Sequence, residues 1–342
     1  MKYLESHPDF IKPESRKNEM INNFLKPGLE DLCVSRTSFK WGIPVPFDEK
    51  HVVYVWLDAL TNYITSLGFM SEDDNKFNKY WPADLHLVGK EITRFHTIVW
   101  PIILMALDLP LPKQVYGHGW LIINGSKISK SLGNYRDPRE YINYFGVDPI
   151  RYFVLREVPF GSDGNFSVES LIDRTNSDLA NTLGNLVQRT ISMANKYFEG
   201  KISNMKICEE IDNHFIDVIN DLDKKIAFEI EKLEIQNALN TIFDLLRLSN
   251  KYIDETTPWI LAKDENKKDR LETVLYNLLE SIRVCALNLS FAIPSTSREI
   301  LRQINNTREE NSYLLDNKYE VLNPVPLFER IDKDKFLSEH NL

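Results

Sequence analysis

The order of apolar runs between His51 and Asn124 most constrains the fold of this chain. β-branched and aromatic runs that begin at His51 and at Leu85 predict buried strands, and 113–124 predicts a third strand region. Between the second and third runs, residues 92–108 have the length and spacing of a helix, in which Pro101 predicts a kink. Strands interleaved with a helix in this way indicate an α/β architecture with a parallel sheet.

Helical spacing replaces the strand pattern in the second half of the chain. Residues 168–200, 212–255 and 268–293 repeat apolar side chains every three or four positions, which predicts an antiparallel helical bundle. The predicted fold class is therefore α/β followed by all-α. The predicted boundaries are 1–45 for a linker, 46–167 for the α/β part, 168–303 for the bundle, and 304–342 for a charged, partly disordered tail.

Composition narrows the class of protein. The net charge of −9 argues against non-specific coating of nucleic acid, but it allows the reading of a folded RNA at a few points. No apolar stretch approaches the length of about 18 residues that spans a membrane. The three cysteines are far apart, so we predict neither a disulfide framework nor a zinc site, and we expect a cytoplasmic protein.

Residues 124–134, NGSKISKSLGN, place Lys127 and Lys130 among serines and glycines. None of these side chains can build a core, so the stretch predicts a mobile, positively charged loop that suits a polyphosphate. A lysine pair at this spacing is more often a solvated turn. The neighbouring sequence therefore has to decide between the two interpretations.

The stretch KISKS resembles the Lys-Met-Ser-Lys-Ser motif of class I aminoacyl-tRNA synthetases. Five longer stretches resemble the bacterial methionyl-tRNA synthetases in order and spacing. They are VWLDALTNYITSLGF, HLVGKEITRFHTIVWP, HGWLIINGSKISKSLGN, NYFGVDPIRYFVLRE and NTLGNLVQR. The resemblance covers roughly residues 1–330. It implies the second half of a Rossmann-like catalytic domain followed by an anticodon-binding bundle. Residues 1–45 would then be the end of the family's connective insertion and a linker.

The resemblance implies a methionine–tRNA ligase. Such an enzyme uses ATP with Mg²⁺ to convert methionine into methionyl-adenylate, and it then transfers the methionyl group to the 3′ end of tRNA(Met). Lys130 is implied as the principal ATP contact, with Lys127 as the second catalytic lysine and Ser129 and Ser131 as further phosphate ligands. Gly89 and Glu91 lie where a strand meets a helix N-terminus, a place where such folds bind nucleotides.

A methionine pocket is implied on two predicted helices. Trp56, Ala59 and Tyr63 have the spacing of one helical face, and the aromatic walls suit a polarisable thioether. The resemblance adds three residues of the following helix, Phe95, His96 and Val99. We expect His96 to bond either the methionine sulfur or a neighbouring hydroxyl.

An anticodon site is implied in the bundle. Asn185 and Arg189 lie on a polar stripe, and Trp259 follows a helix-starting proline. Amides, guanidinium groups and aromatic rings read splayed single-stranded bases. The resemblance implies that these residues read the anticodon CAU.

The chain departs from the family in one respect. It contains no His-x-Gly-His tetrad, since GHGW at 117–120 lacks the first histidine, and it has no zinc-knuckle cysteines. We expect the half that carries the tetrad to lie before Met1, in the same protein or as a partner chain. Two alternatives remain open: a synthetase for another apolar amino acid, and a non-catalytic tRNA-binding fragment.

Overall fold

The computed structural model describes residues 1–123, 125–128 and 135–340, which form two compact units. The first unit comprises Met1–Trp120 and Gly161–Asp163. The second comprises the described residues of Leu121–Phe160 and those from Gly164 onward. The predicted segment 46–167 thus contributes to both units, and the predicted functional boundaries remain a proposal.

The first unit consists of short elements. Their bounds in chain order are α1 Lys2–Ser6, β1 Ile11–Lys12, α2 Glu14–Met20, a π-helical turn Ile21–Leu25, β2 Ser35–Arg36, β3 Pro44–Val45, β4 Asp48–Val53, α3 Val55–Thr65, α4 Asn75–Tyr80, β5 His86–Gly89, a 3₁₀ turn Lys90–Ile92, a π-helical turn Phe95–Val99, α5 Trp100–Ala106 and β6 Val115–His118.

A parallel three-stranded sheet forms the centre of the first unit, in the order β1-β6-β5. Ile11 and His86 both pair with Val115 of the central strand, and Ile11 and Val115 are fully buried. The predicted parallel sheet is therefore present. One of its strands, however, comes from the segment 1–45, where no strand was predicted.

The strand predicted at His51 was placed in the wrong sheet. Strand β4 ends at Val53 and pairs antiparallel with β2 and β3 in a separate sheet. A short β-branched run fits an antiparallel ribbon as well as a buried parallel strand, and periodicity does not separate the two.

The helix predicted at 92–108 is present but changes its winding. A 3₁₀ turn and a π-helical turn precede α5, and Pro101 is its second residue. Proline disrupts the interior of a helix, because it lacks the amide hydrogen that the helical hydrogen bond needs. The helical stretch runs without a break from Lys90 to Ala106, and Pro101 lies two residues after the π-helical turn, next to the point where the winding changes.

The second unit is mainly helical. Its elements are β7 Leu121–Ile123, β8 Ser126–Lys127, α6 Pro138–Phe145, α7 Val147–Glu157, β9 Gly164–Phe166, α8 Val168–Arg174, a π-helical segment Thr175–Gly184, α9 Asn185–Phe198, β10 Lys201–Ser203, α10 Glu210–Glu231, α11 Ile235–Thr256, α12 Pro258–Leu261, a 3₁₀ turn Glu265–Lys267, α13 Lys268–Leu289, α14 Pro294–Gln303, β11 Lys318–Glu320 and α15 Lys333–His340.

The predicted helical bundle is confirmed, and α13 is its central helix. The core series Leu271, Val274, Leu275, Leu278, Ile282 and Cys285 is buried throughout. The series on α10 is buried from Phe215 to Ile226, but Ile230 is 36% exposed because α10 ends one residue later, at Glu231. Among the described residues, no helix is long and apolar enough to cross a membrane.

Short strands continue into the second unit, although none was predicted beyond residue 124. Strands β8, β7 and β9 form one small sheet, and β10 pairs antiparallel with β11 of the tail. The sequence Asn-Gly at 124–125 is typical of a two-residue hairpin turn, and Gly125 has a φ of 73°. The prediction of a loop was therefore wrong for Ser126 and Lys127, which form β8.

Candidate functional site

One face of α3 carries the first predicted pocket residues. Leu60 and Ile64 are buried in the core of the first unit and hold the helix in place. Trp56 and Tyr63 are half-buried, and Ala59 between them is exposed. The helix thus presents a small residue between two aromatic side chains, as the spacing predicted.

The π-helical turn Phe95–Val99 supplies a second wall. The rings of Trp56 and Phe95 stack with centroids 4.0 Å apart and planes inclined by 10°. The Tyr63 hydroxyl lies 2.9 Å from Nε2 of His96, whose side chain is buried. Four of the six predicted pocket residues therefore contact one another directly.

The hydrogen bonds of His96 define its tautomer. Nδ1 lies 2.9 Å from the Ile92 carbonyl oxygen, which can only accept, so Nδ1 carries the proton. Burial lowers the pKa of His96, which keeps the ring neutral, and burial raises the pKa of Tyr63. Nε2 is therefore an acceptor from the Tyr63 hydroxyl. Of the two partners expected for His96, the structure shows the hydroxyl.

His86 belongs to the same aromatic cluster but was not predicted. Its ring lies 4.4 Å from that of Tyr63, and its Nε2 accepts a hydrogen bond from Trp100 Nε1 at 3.3 Å. Burial and the nearby His96 lower the pKa of His86 to about 4. A lone histidine in a short strand gives no sequence signal beyond core packing. Because its pKa is lowered, His86 is uncharged at neutral pH.

A cavity of 280 Å³ lies beside Trp56 and Val99. It is lined mainly by apolar side chains, among them Leu29, Ile98 and Ile103. Ala59, Tyr63, Phe95 and His96 do not line it. Val99 therefore lines this cavity together with Trp56, and it packs against the same hydrophobic cluster as Tyr63 and Phe95.

Gly89 and Glu91 lie at the carboxyl end of β5. A Cβ atom on Gly89 would lie 2.6 Å from Glu91 Oε2, so any other residue at position 89 would displace the carboxylate from its present place. Glu91 Oε2 in turn accepts a hydrogen bond from Trp120 Nε1 at 2.7 Å. The carboxylate is thus oriented at the edge of the sheet where parallel α/β folds bind their ligands.

Three residues that the sequence reading missed surround Glu91. Lys90 Nζ lies 2.6 Å from Asp163 Oδ2 and 4.1 Å from the centre of the Trp120 ring. The bond from Lys90 and that from the Trp120 amide lower the pKa of Asp163. No spacing rule connects residue 90 with residue 163, so no local pattern in the sequence indicates this pair.

The lysine stretch is described only in part. Lys127 is exposed in β8, where it pairs with Ile122 of β7, and Gly125 N donates to Asn165 Oδ1 at 3.3 Å. Ser129, Lys130 and Ser131 lie outside the described residues. No group of three or more His, Cys, Asp or Glu side chains that could hold a metal ion occurs within 1–123, 125–128 and 135–340.

The predicted anticodon residues lie on the surface of the second unit. Asn185 is the first residue of α9 and is exposed. Arg189 Nη2 lies 3.6 Å from Asp254 Oδ1, near the end of α11. Trp259 follows five positions later on the short helix α12 and is 42% exposed. A tryptophan this exposed is not a core residue, and it can stack on a base.

Two family models match the chain. Residues 1–191 match the family model of class I tRNA synthetases (M), and residues 212–338 match that of the anticodon-binding domain of tRNA ligases. The chain belongs to the class I tRNA synthetases (M).

Individual relatives carry the name of one synthetase. The chain is 60% identical to the methionine–tRNA ligase of Clostridium acetobutylicum, over 100% of this chain and 54% of that protein. It is 52% identical to that of Bacillus subtilis, over 98% of this chain and 52% of that protein. The Mycobacterium tuberculosis methionyl-tRNA synthetase in complex with methionyl-adenylate superposes with a TM-score of 0.90 at 40% identity, covering 96% of this chain and 66% of that one. The chain spans about half the length of the curated relatives it matches.

Proposed function

We propose that this chain carries the methionine-binding and anticodon-binding parts of a methionine–tRNA ligase. The enzyme would convert methionine and ATP·Mg²⁺ into methionyl-adenylate and pyrophosphate, and it would then acylate the 3′ end of tRNA(Met) in the cytoplasm. The family assignment and the names of the relatives support this function. They also favour methionine over another apolar amino acid.

The neutral aromatic pocket is the observation that carries the proposal. A methionine side chain is apolar and polarisable, and it gains from burial against aromatic rings. Trp56, Phe95 and Tyr63 supply such rings, and the depressed pKa of His96 keeps a positive charge away from the thioether. Ala59 leaves room between Trp56 and Tyr63, and Val99 extends the apolar surface beside Trp56.

The proposed activation step is an in-line displacement at the α-phosphate. It needs the methionine carboxylate and the triphosphate to be held together while negative charge is redistributed. Lys130 and Lys127 would neutralise that charge, and Ser129 and Ser131 would donate to phosphate oxygens. Mg²⁺ would enter with ATP as part of the substrate, held through the phosphates.

The nucleoside would bind at the carboxyl end of β5. A carboxylate has two oxygens with several acceptor positions, so Glu91 can accept from ribose hydroxyls while it keeps its bond from Trp120. Gly89 lets the ligand approach the backbone. We assign the orientation of Glu91 to Trp120, and the orientation of Trp120 to Lys90 and Asp163.

The second unit would recognise tRNA(Met). Asn185 and Arg189 would bond base edges of the anticodon CAU, and Trp259 would stack on an unpaired base. Within the proposed functional boundaries, 46–167 carries catalysis, 168–303 carries anticodon binding, and the tail from 304 closes the bundle.

The test is ATP–pyrophosphate exchange with methionine, together with a gel shift of tRNA(Met). Because the chain contains no His-x-Gly-His tetrad, we expect it to shift the tRNA but to exchange pyrophosphate slowly until a polypeptide with that tetrad is added. Lys130→Ala should abolish the restored exchange, which excludes a contaminating enzyme. Failure to shift tRNA(Met) would reject the proposal for the bundle.

The absent tetrad favours one alternative, a non-catalytic tRNA-binding fragment. Under that alternative, the chain shifts tRNA(Met) with the same affinity as under the leading proposal. No exchange that depends on Lys130 would then appear under any complementation.

A further inference from the structure

The helix that carries Asn185 changes its winding at that residue. The preceding segment, Thr175–Gly184, is π-helical. The backbone N–H of Asn185 donates to the carbonyl oxygen of Ala180, five residues back. From Asn185 onward the helix is α-helical. In an α-helix each residue turns the chain by about 100°, so a one-residue change of register at this junction would turn Asn185 away from its present direction.

Thr182, three residues before Asn185, is held from two sides. Its hydroxyl donates to the Ser177 carbonyl oxygen at 2.9 Å, again five residues back. Its own carbonyl oxygen accepts a hydrogen bond of 3.1 Å from Asn250 Nδ2 on α11. Asn250 Nδ2 also donates to Leu246 O of its own helix at 3.0 Å, so one amide group bridges two helices.

The hydrogen bond from Asn250 is made within one turn of Asn185, one of the residues proposed to read the anticodon. Asn250 is half-buried on the face of α11 that turns toward the π-helical segment. Thr182 belongs to the last turn before the junction, and no other side chain within the described residues donates to its carbonyl oxygen in the structure. The bond therefore acts at the point where the winding changes.

We propose that Asn250 is a positioning residue for anticodon recognition. It fixes the π-to-α junction through Thr182 and thereby sets the direction in which Asn185 projects. The inference rests on the proposed anticodon site, and it adds a residue that touches no base.

The test compares Asn250→Asp with Asn195→Asp. Aspartate keeps the shape of asparagine, but its carboxylate cannot donate and repels the two carbonyl oxygens. Asn195 is the matched control, because it is also half-buried, lies on α9 itself, and donates through Nδ2 to a distant carbonyl, Leu322 O, at 3.0 Å. Asn250→Ala removes the donor without adding charge, and it serves if the aspartate variant fails to fold.

Two measurements are made on the whole chain. The first is binding of synthetic anticodon stem-loops, one with CAU and one with a changed central base. The second is hydrogen exchange of the backbone amides in 182–189, which reports on the junction without RNA.

We expect Asn250→Asp to bind the CAU stem-loop about tenfold more weakly, in line with the loss of one hydrogen bond and the repulsion that replaces it. The ratio between the two stem-loops should fall toward one, and exchange at 182–189 should quicken. Asn195→Asp should stay within about twofold of the wild-type chain on each measure.

Wild-type affinity, discrimination and exchange in both Asn250 variants would overturn the inference. Equal loss with both stem-loops at an unchanged ratio would also overturn it, since that is the result of a merely structural role. If the wild-type chain binds neither stem-loop, the proposed anticodon site falls and this inference falls with it.

Discussion

The bond from Tyr63 to His96 leaves neither side chain available as a charged ligand. Nδ1 of His96 donates to the Ile92 carbonyl oxygen, and Nε2 accepts from the Tyr63 hydroxyl. We therefore expect the proposed methionine pocket to select its ligand by shape and polarisability. Selectivity against an analogue that differs by one methylene is worth only about 1–3 kcal/mol in such a site.

Trp56→Ala should weaken methionine binding at least about tenfold, because it removes the ring that stacks on Phe95. Trp56→Phe, which keeps an aromatic wall, is the control and should lose less. Titration calorimetry with methionine, in the form of the protein that shows exchange, measures both. Equal affinity in the alanine variant would remove Trp56 from the site.

The depressed pKa of His86 predicts a loss of stability in mild acid. The folded pKa of about 4 lies below the ordinary value of 6.5, so the unfolded chain takes up the proton first as the pH falls. The stabilising contribution is present above pH 6.5 and is lost between there and about pH 4, amounting to at most about 3 kcal/mol.

His86→Gln offers an acceptor for Trp100 and does not titrate in this range. Urea unfolding, followed by tryptophan fluorescence, should show a shallower pH dependence for this variant than for the wild-type chain. Identical slopes between pH 7 and pH 4 would contradict the assignment.

The contacts between individual side chains could be predicted only in part. Helical spacing brought Trp56 and Tyr63 to one face, and the family resemblance added Phe95 and His96. The Trp120–Glu91 and Lys90–Asp163 pairs join segments far apart in sequence, so no local pattern encodes them. His86 looks like any other strand residue until its aromatic neighbours are known.

The short helix α12 shows how an element can expose what the core would otherwise bury. Thr257 adopts a φ of 43° at the end of α11, and Pro258 then starts a helix of four residues. As a result Trp259 and Ile260 project from the bundle, 42% and 53% exposed. Exposed apolar side chains placed side by side often mark a binding surface.

Trp259→Ala should weaken binding of tRNA(Met) by about 1–3 kcal/mol, the range for loss of one stacked base, without lowering the unfolding temperature. Phe228→Ala is the control, since Phe228 is 54% exposed on α10 and has no assigned contact with RNA. A gel shift and thermal unfolding suffice. A fall in unfolding temperature that accompanies the lost affinity would mean that Trp259 supports the fold.

At the scale of elements, long amphipathic helices were predictable and short strands were not. The α13 core series follows directly from its spacing, because burial on one face of a long helix demands it. Strand β1 has two residues, and only its pairing with Val115 and Tyr116 makes it a strand. Strand β4 was misplaced because its partners β2 and β3 carry no periodic signal of their own.

The whole bundle is closed by a buried charged pair and by the tail. Arg283 and Glu280 are both fully buried and lie 2.7 Å apart. Arg283 also donates to carbonyl oxygens of Glu310 and Ser312, while Glu280 accepts from the Leu314 amide and the Asn317 side chain. The segment after α14 is thereby tied to the central helix.

Arg283→Met should lower the free energy of unfolding by about 3–5 kcal/mol, since it leaves Glu280 buried without a counter-charge. The double variant with Glu280→Leu should recover part of that loss, because no lone charge remains. Urea unfolding of both variants tests this. A double variant no better than the single one would show that the lost hydrogen bonds to the tail and the lost packing, and not the lone charge, set the cost.

The pairing of β10 with β11 also sets an order of events during synthesis. Lys201 pairs with Glu320, so the strand at 201–203 is made well before its partner. At about 5–20 residues per second, the ribosome needs on the order of ten seconds to reach residue 320 from residue 201. Ile202 is buried in the finished protein, but during these seconds its partner strand β11 has not yet been made. We therefore expect nascent chains stalled before residue 318 to be cut by protease near 202, and the released chain of 342 residues to resist.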